Sequence, residues 1–304
     1  MRLIYILFAV CLGISAVSCT NESEVVDDKP LVIVTTGMIA DIVRNVGGNF
    51  VNVIQLIPSG ANPHQYKASE MDIISLAGAH IIFHNGLYLE AKLSKILQRA
   101  QNEIPTYAVS SYIPIDKIIF YEKVPDPHIW FDPNLWIYAV KSVADGLISI
   151  DPQNTVYYRR NEENYIRELL ELDENIKKNI ENIPKTRRTV ITVHDAFSYF
   201  NKAYGWHIIG IHGVHTADND PPLQPLTKII ADKGITHIFA ETSMPSRSVS
   251  ALIALTAAQG RILRQGAALS TDSLGERNSS TGTYIGMINA TIKSIIVEIT
   301  SYEH

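Results

Sequence analysis

Three of the ten histidines stand in surroundings suited to holding a metal ion. His64 lies in Asn62-Pro63-His64-Gln65-Tyr66 directly after a β-branched run, where Pro63 fixes the turn and pushes Asn62 into extended backbone. His128 lies in Asp126-Pro127-His128-Ile129-Trp130-Phe131-Asp132-Pro133, a second Pro-His pair in a stiff segment. Asp126 or Asp132 is available there to accept an imidazole proton and orient the ring. His194 ends the most strongly β-patterned run of the second half and is followed at once by Asp195-Ala196-Phe197, a helix start. Neutral imidazoles bind transition metals through a ring nitrogen, and ligands of α/β sheets gather at the carboxyl ends of strands. Plainer readings stand beside these: a turn histidine, a Pro-rich loop with Trp130 as packing anchor, and a helix-cap neighbour.

The remaining histidines carry less. His212 and His215, three apart in Gly210-Ile211-His212-Gly213-Val214-His215-Thr216-Ala217-Asp218, read as two solvated loop residues or as an accessory metal pair. His80 and His84 bracket an apolar strand and read as structural, and His207, His237 and His304 give no signal. The chain has no His-Glu-x-x-His helix and no Gly-x-Ser-x-Gly elbow, the motifs by which zinc proteases and serine hydrolases announce themselves.

The elements that must carry these residues follow a strand-helix-strand rhythm, which predicts parallel sheets. In the first half, strands are expected at 31–36, 51–57, 80–83 and 107–109, with helices at 38–46, from the cap Ser69 to Leu76, and 89–100. In the second half, strands are expected at 188–193, 206–211 and 236–240, with helices at 196–204, 225–232, 248–259 and 284–299. Between them, Asn154 to Ile183 contains neither Gly nor Pro, and Ile166, Leu169, Leu172, Ile176, Ile180 and Ile183 recur at three- and four-residue steps. An unbroken helix there would be about 45 Å long, a strut joining two lobes. The resulting division is an N-terminal α/β lobe at 30–150, a linking helix at 151–184 and a C-terminal α/β lobe at 185–304.

Residues 1–18 read as an export signal: one positive charge, an apolar run too short to span a bilayer, then Ala16-Val17-Ser18-Cys19. The small residue before Cys19 and the acidic stretch after it fit lipidation of Cys19 and a flexible tether over 19–29. Cys11 falls within the signal, so no disulfide is expected in the mature chain. A net charge of −5 and the absence of basic runs argue against nucleic acid and leave membrane attachment to the lipid.

Several separated stretches in order carry a resemblance. Thr35-Thr36-Gly37-Met38-Ile39-Ala40-Asp41, Ala61 to Tyr66, Asp126 to Asp132, Val193 to Phe197, Glu241-Thr242-Ser243 and Thr271-Asp272-Ser273-Leu274 resemble the signatures of TroA-like zinc and manganese solute-binding proteins of ABC importers. The resemblance implies a periplasmic-binding-protein fold and His64, His128, His194 and Asp272 as ligands of one Zn2+ or Mn2+, two from each lobe. It also implies a membrane permease as partner, and a monomer is the default for a tethered capture protein. Thr271-Asp272-Ser273 by itself is an ordinary turn, so Asp272 enters through the resemblance alone. Asp126, Asp132, Asp195 and Glu241 are the carboxylates expected around the ligands. His194 in the third position favours zinc, whereas the histidine-free stretch 110–125 departs from zinc-importing relatives with a His-rich loop. A metallohydrolase and an adhesin lipoprotein are the competing readings; the first needs an open coordination position that four protein ligands would not leave.

Overall fold

The structure is a computed structural model that describes residues 29–215 and 221–301. The expected signal peptide, Cys19 with its expected lipidation, Asp218 and His304 lie outside the described residues. In chain order the main elements are β1 (Leu31–Val34), α1 (Gly37–Gly47), β2 (Asn52–Gln55), α2 (Glu70–Ala77), β3 (Ile81–His84), α3 (Ser94–Ala100), β4 (Thr106–Ala108), β5 (Phe120–Tyr121), β6 (Val124–Pro125), α4 (Pro133–Ile150) and α5 (Thr155–Glu181). They continue with β7 (Thr189–His194), α6 (Ser198–Tyr204), β8 (His207–His212), α7 (Gln224–Lys233), β9 (His237–Glu241), α8 (Arg247–Ala258), β10 (Arg264–Leu269) and α9 (Tyr284–Thr300).

Two parallel sheets form the two lobes, ordered β2-β1-β3-β4 and, read from its far edge, β8-β7-β9-β10. The lobes thus share one strand order without a sequence repeat. Central strands are continuous apolar runs, Ile33 and Ile82 in one sheet and Ile191 and Val193 in the other being fully buried, because helices cover both faces of a parallel sheet. In lobe one, α2 and α3, with Leu93 just before α3, cover one face through Leu76, Leu93 and Leu97. In lobe two, α7 and α8 do so through Leu226, Ile230, Val249 and Leu252. One apolar core runs from the other face of the first sheet, through α1, α4 and α5, to α6, α9 and the second sheet.

Most expected elements are present; α3 starts later than expected, and α4, β10 and the short β5-β6 pair are additions. The helix expected from Leu89 starts at Ser94, because the Glu90 carboxylate accepts the N–H groups of Asn85 and Gly86 and the Thr35 hydroxyl, fixing a turn in which Leu87 and Tyr88 have positive φ. Helix α4 is not among the elements expected above; apolar residues lie on several of its faces, and it carries a glycine, Gly146. A Cβ on Gly146 would sit 2.6 Å from the Phe83 ring, so glycine there allows close helix-sheet packing. Strand β10 was also missed, since it is a half-exposed edge strand with a register shift between Gly266 and Leu269.

Helix α5 has 27 residues, about 40 Å at 1.5 Å per residue. It is fastened to both lobes by buried Tyr-Asp bonds: Tyr165 donates to Asp41 of α1 at 2.5 Å, and Tyr204 of α6 donates to Asp173 at 2.7 Å.

Candidate metal site

Each of the four residues singled out above is held by its local backbone. Asn62 accepts the His64 N–H at 2.9 Å, an Asx turn that shapes the loop after β2. Asp126 accepts both the backbone N–H and the Nδ1–H of His128, at 2.9 and 2.7 Å, while Asn85 donates to the Pro127 carbonyl at 3.0 Å. His194 is the last residue of β7, and Glu241 at the end of β9 receives its backbone N–H at 2.9 Å and its Nδ1–H at 2.6 Å. Asp272 follows β10, in a loop tied down where Thr291 donates to the Ser270 carbonyl at 3.0 Å.

These four side chains, all buried, converge from both lobes and form the one group of its kind among the described residues, with candidate donor atoms within 4.8 Å of one another. His128 Nε2 lies 3.2 Å from His64 Nε2 and 3.3 Å from His194 Nε2. Asp272 oxygens lie 3.5, 3.7 and 3.2 Å from the Nε2 atoms of His64, His128 and His194. A tetrahedron with metal-ligand bonds of about 2.0–2.2 Å has edges of about 3.3–3.6 Å, close to these five spacings.

The protonation pattern fits a cation at the centre. His128 and His194 commit Nδ1–H to Asp126 and Glu241, which leaves the neutral rings with Nε2 lone pairs aimed inward. Neither oxygen of Asp272 has a hydrogen-bond partner. Lone pairs and a carboxylate packed this closely repel one another unless a proton or metal lies between them. Burial favours a neutral His194, but the Asp272 and Glu241 charges outweigh it and raise its pKa well above the usual imidazole range. Burial would raise the Asp272 pKa, yet His194 and its neighbours hold it well below the carboxylate range. Burial lowers the pKa of His64, whose Nδ1 has no partner.

The surrounding carboxylates divide. Asp126 and Glu241 hold ligand rings. Asp132 does not: it accepts the Asn134 N–H at 2.9 Å and caps α4, with Pro133 as the first helical residue, so its neighbour in sequence, not His128, claims it. Asp195 likewise accepts the Gly210 N–H at 2.7 Å, joining β7 to β8. His212 is buried with Nε2 3.3 Å from the Ser248 hydroxyl. His215 instead has Nε2 3.0 Å from the Pro125 carbonyl and its ring perpendicular to that of His64, 5.9 Å between centroids. His80 accepts the Leu31 N–H at Nδ1, a structural role. Trp130 and Thr271 are not legible as site residues in the sequence, since they belong to it only through bonds between segments far apart in the chain.

Residues 32–297 match the family model described as "Zinc-uptake complex component A periplasmic" (ZnuA). The chain is 35% identical over 282 residues to the "Zinc-binding protein TroA" of Treponema pallidum, covering 92% of each. It is 34% identical over 295 residues to the "Manganese-binding lipoprotein MntA" of Bacillus subtilis, covering 95% of this chain and 96% of that one. The solved structure of the periplasmic zinc-binding protein TroA from Treponema pallidum superposes with a TM-score of 0.87 at 36% identity, over 89% of this chain and 99% of that one.

Proposed function

The chain belongs to the family of zinc-uptake complex A components, and on that premise we propose that His64, His128, His194 and Asp272 are the ligands of the single divalent transition-metal ion that it captures. The protein is an extracytoplasmic solute-binding component that delivers its metal to the permease of an ABC importer; it is not an enzyme. The observation that carries the ligand assignment is the cluster of four inward-facing donors with tetrahedral edge lengths.

Zinc is the cargo we infer. Three imidazoles and one carboxylate suit a closed tetrahedral ion, whereas manganese would call on both Asp272 oxygens to raise its coordination number. The relatives' names point both ways, one to zinc and five to manganese, so the inference rests on the donor set. We further propose that the mature chain is a monomer anchored by a lipid on Cys19. Among the described residues no helix is long and apolar enough to cross a membrane, and seven relatives are named lipoproteins. Cys19→Ala should release the protein from the membrane fraction.

Calorimetric titration of metal-free protein tests the reading. One zinc ion per chain should bind, more tightly than manganese, and His128→Ala or Asp272→Ala should abolish it. Unchanged binding in both variants would overturn the ligand assignment; tighter manganese binding would overturn zinc.

A further inference from the structure

Thr271 sits where three of the four proposed ligands meet. Its peptide bond carries Asp272. Its hydroxyl donates at 2.7 Å to Glu241 Oε2, the oxygen that receives Nδ1–H of His194. Its carbonyl accepts Trp130 Nε1–H at 2.9 Å, which reaches across from the other lobe, two residues beyond His128. Both residues are fully buried. The indole packs edge-on to the His128 ring, 5.2 Å between centroids, and the Trp130 carbonyl accepts the Tyr284 hydroxyl of α9 at 2.7 Å. The His128 segment is thereby bound to lobe two at both its side chain and its main chain.

Resting on the ligand assignment above, we infer that Thr271 and Trp130 are positioning residues that set the spacing between the lobe-one and lobe-two ligands. The chemistry of the contacts supports this. The Thr271 hydroxyl gives its proton to Glu241, so the carboxylate is held from two sides and its grip on His194 keeps one direction. The backbone carbonyl remains free to receive the indole N–H, which has no acceptor capacity of its own and must donate when buried. Motion of lobe one relative to lobe two therefore pulls on the same residue that orients His194 and carries Asp272. His64 lies outside this bracket: Gly60 N–H donates to the Ser273 hydroxyl at 2.7 Å, a separate strap beside it.

The test compares wild type, Thr271→Val, Thr271→Ser and Trp130→Phe in the full chain. Valine keeps the volume and removes the hydroxyl, serine restores the hydroxyl, and phenylalanine keeps a ring without the N–H. Outer partners of metal ligands are typically worth about 10–100-fold in affinity. Thr271→Val and Trp130→Phe should each weaken zinc binding in that range, and Thr271→Ser should return affinity close to wild type. With Co2+ as probe, the visible d–d bands of Thr271→Val should lose the intensity of a tetrahedral ion, a change that loss of general stability does not produce. Should Thr271→Val not fold, Trp130→Phe and Thr271→Ser carry the comparison. Wild-type zinc affinity and Co2+ bands in both Thr271→Val and Trp130→Phe would overturn the inference while leaving the ligand assignment standing. Failure of wild type itself to bind metal would bring down the assignment and the inference with it.

Discussion

The two lobes have one strand order, and each places a buried carboxylate across the ends of its first and third strands. In lobe one Glu90 accepts the hydroxyl of Thr35, just after β1, at 2.7 Å and the N–H of Asn85, just after β3, at 2.7 Å. In lobe two Glu241, ending β9, accepts the backbone and ring N–H groups of His194, ending β7. Parallel strands that end side by side leave backbone donors without ladder partners, and a buried carboxylate satisfies them in both lobes. The brace is thus a requirement of the fold. Chemistry arises where the residue it holds is an imidazole with a second nitrogen to offer; a threonine at that place has nothing further to give a metal.

Converting one lobe into the other gives the largest expected effect. His194→Thr leaves Glu241 a hydroxyl to bind but removes an inward donor. Zinc affinity, read by calorimetry, should fall by more than the ~100-fold upper range for outer partners. Near wild-type affinity would mean that the lobes do not differ in the way proposed.

The braces themselves should separate in what they report. Glu241→Gln should weaken zinc by about 10–100-fold, since Gln cannot accept from His194 through both oxygens. Glu90→Gln should leave zinc affinity within a few-fold and lower unfolding free energy by about 1.5–3 kcal/mol, the usual worth of a buried hydrogen bond to a charged group. Denaturant unfolding of the metal-free variants, set beside zinc titration, distinguishes the two. A Glu90 variant that lost metal without losing stability would break the comparison.

Acidity sharpens it further. The His194 pKa is raised, so in metal-free protein its proton contributes stability below the ordinary value of about 6.5 and loses it as pH rises through the folded-state value. The depressed Asp272 contributes above about 3.9 and loses its share as pH falls through its own folded-state value. Zinc must displace the His194 proton, so metal affinity has the opposite slope and falls as pH falls, with proton release persisting above pH ~6.5. Calorimetry in buffers of different ionisation enthalpy counts the released proton. No release at neutral pH would show that His194 is not charged before the metal arrives.

Much of this was legible along the chain. Runs such as Val32 to Val34 and Val190-Ile191 are apolar because both sheet faces are covered, and His64, His128 and His194 sit at turns or strand ends where Pro and β-patterning mark the place. What could not be read depends on partners far apart. Asp272 lies in a turn of ordinary composition and acquires its surroundings from three histidines in other parts of the chain. Thr271 meets Glu241 only when β9 and β10 pair, and Trp130 only when both lobes have formed. The choice of Asp126 over Asp132 for His128 turned on which carboxylate a following helix would take as its cap.

The smallest effect concerns the helices between the second and third strands, α2 in lobe one and α7 in lobe two. Ser69 accepts the Asp72 N–H while Asp72 accepts the Ser69 N–H, a reciprocal capping box; α7 has no side-chain cap and relies on Pro225 in its first turn. The cap lies five residues beyond His64, and the Tyr66 hydroxyl also donates to Asp72 at 2.8 Å, so it fastens the exit of the His64 loop. Ser69→Ala removes the acceptor for one helix N–H and should cost about 1 kcal/mol in metal-free unfolding. Because His64 is shaped locally by Asn62 rather than by the cap, zinc affinity should stay within about twofold, a change of under ~0.5 kcal/mol. A larger loss in titration would mean that the loop's far end, and not only its Asx turn, positions His64.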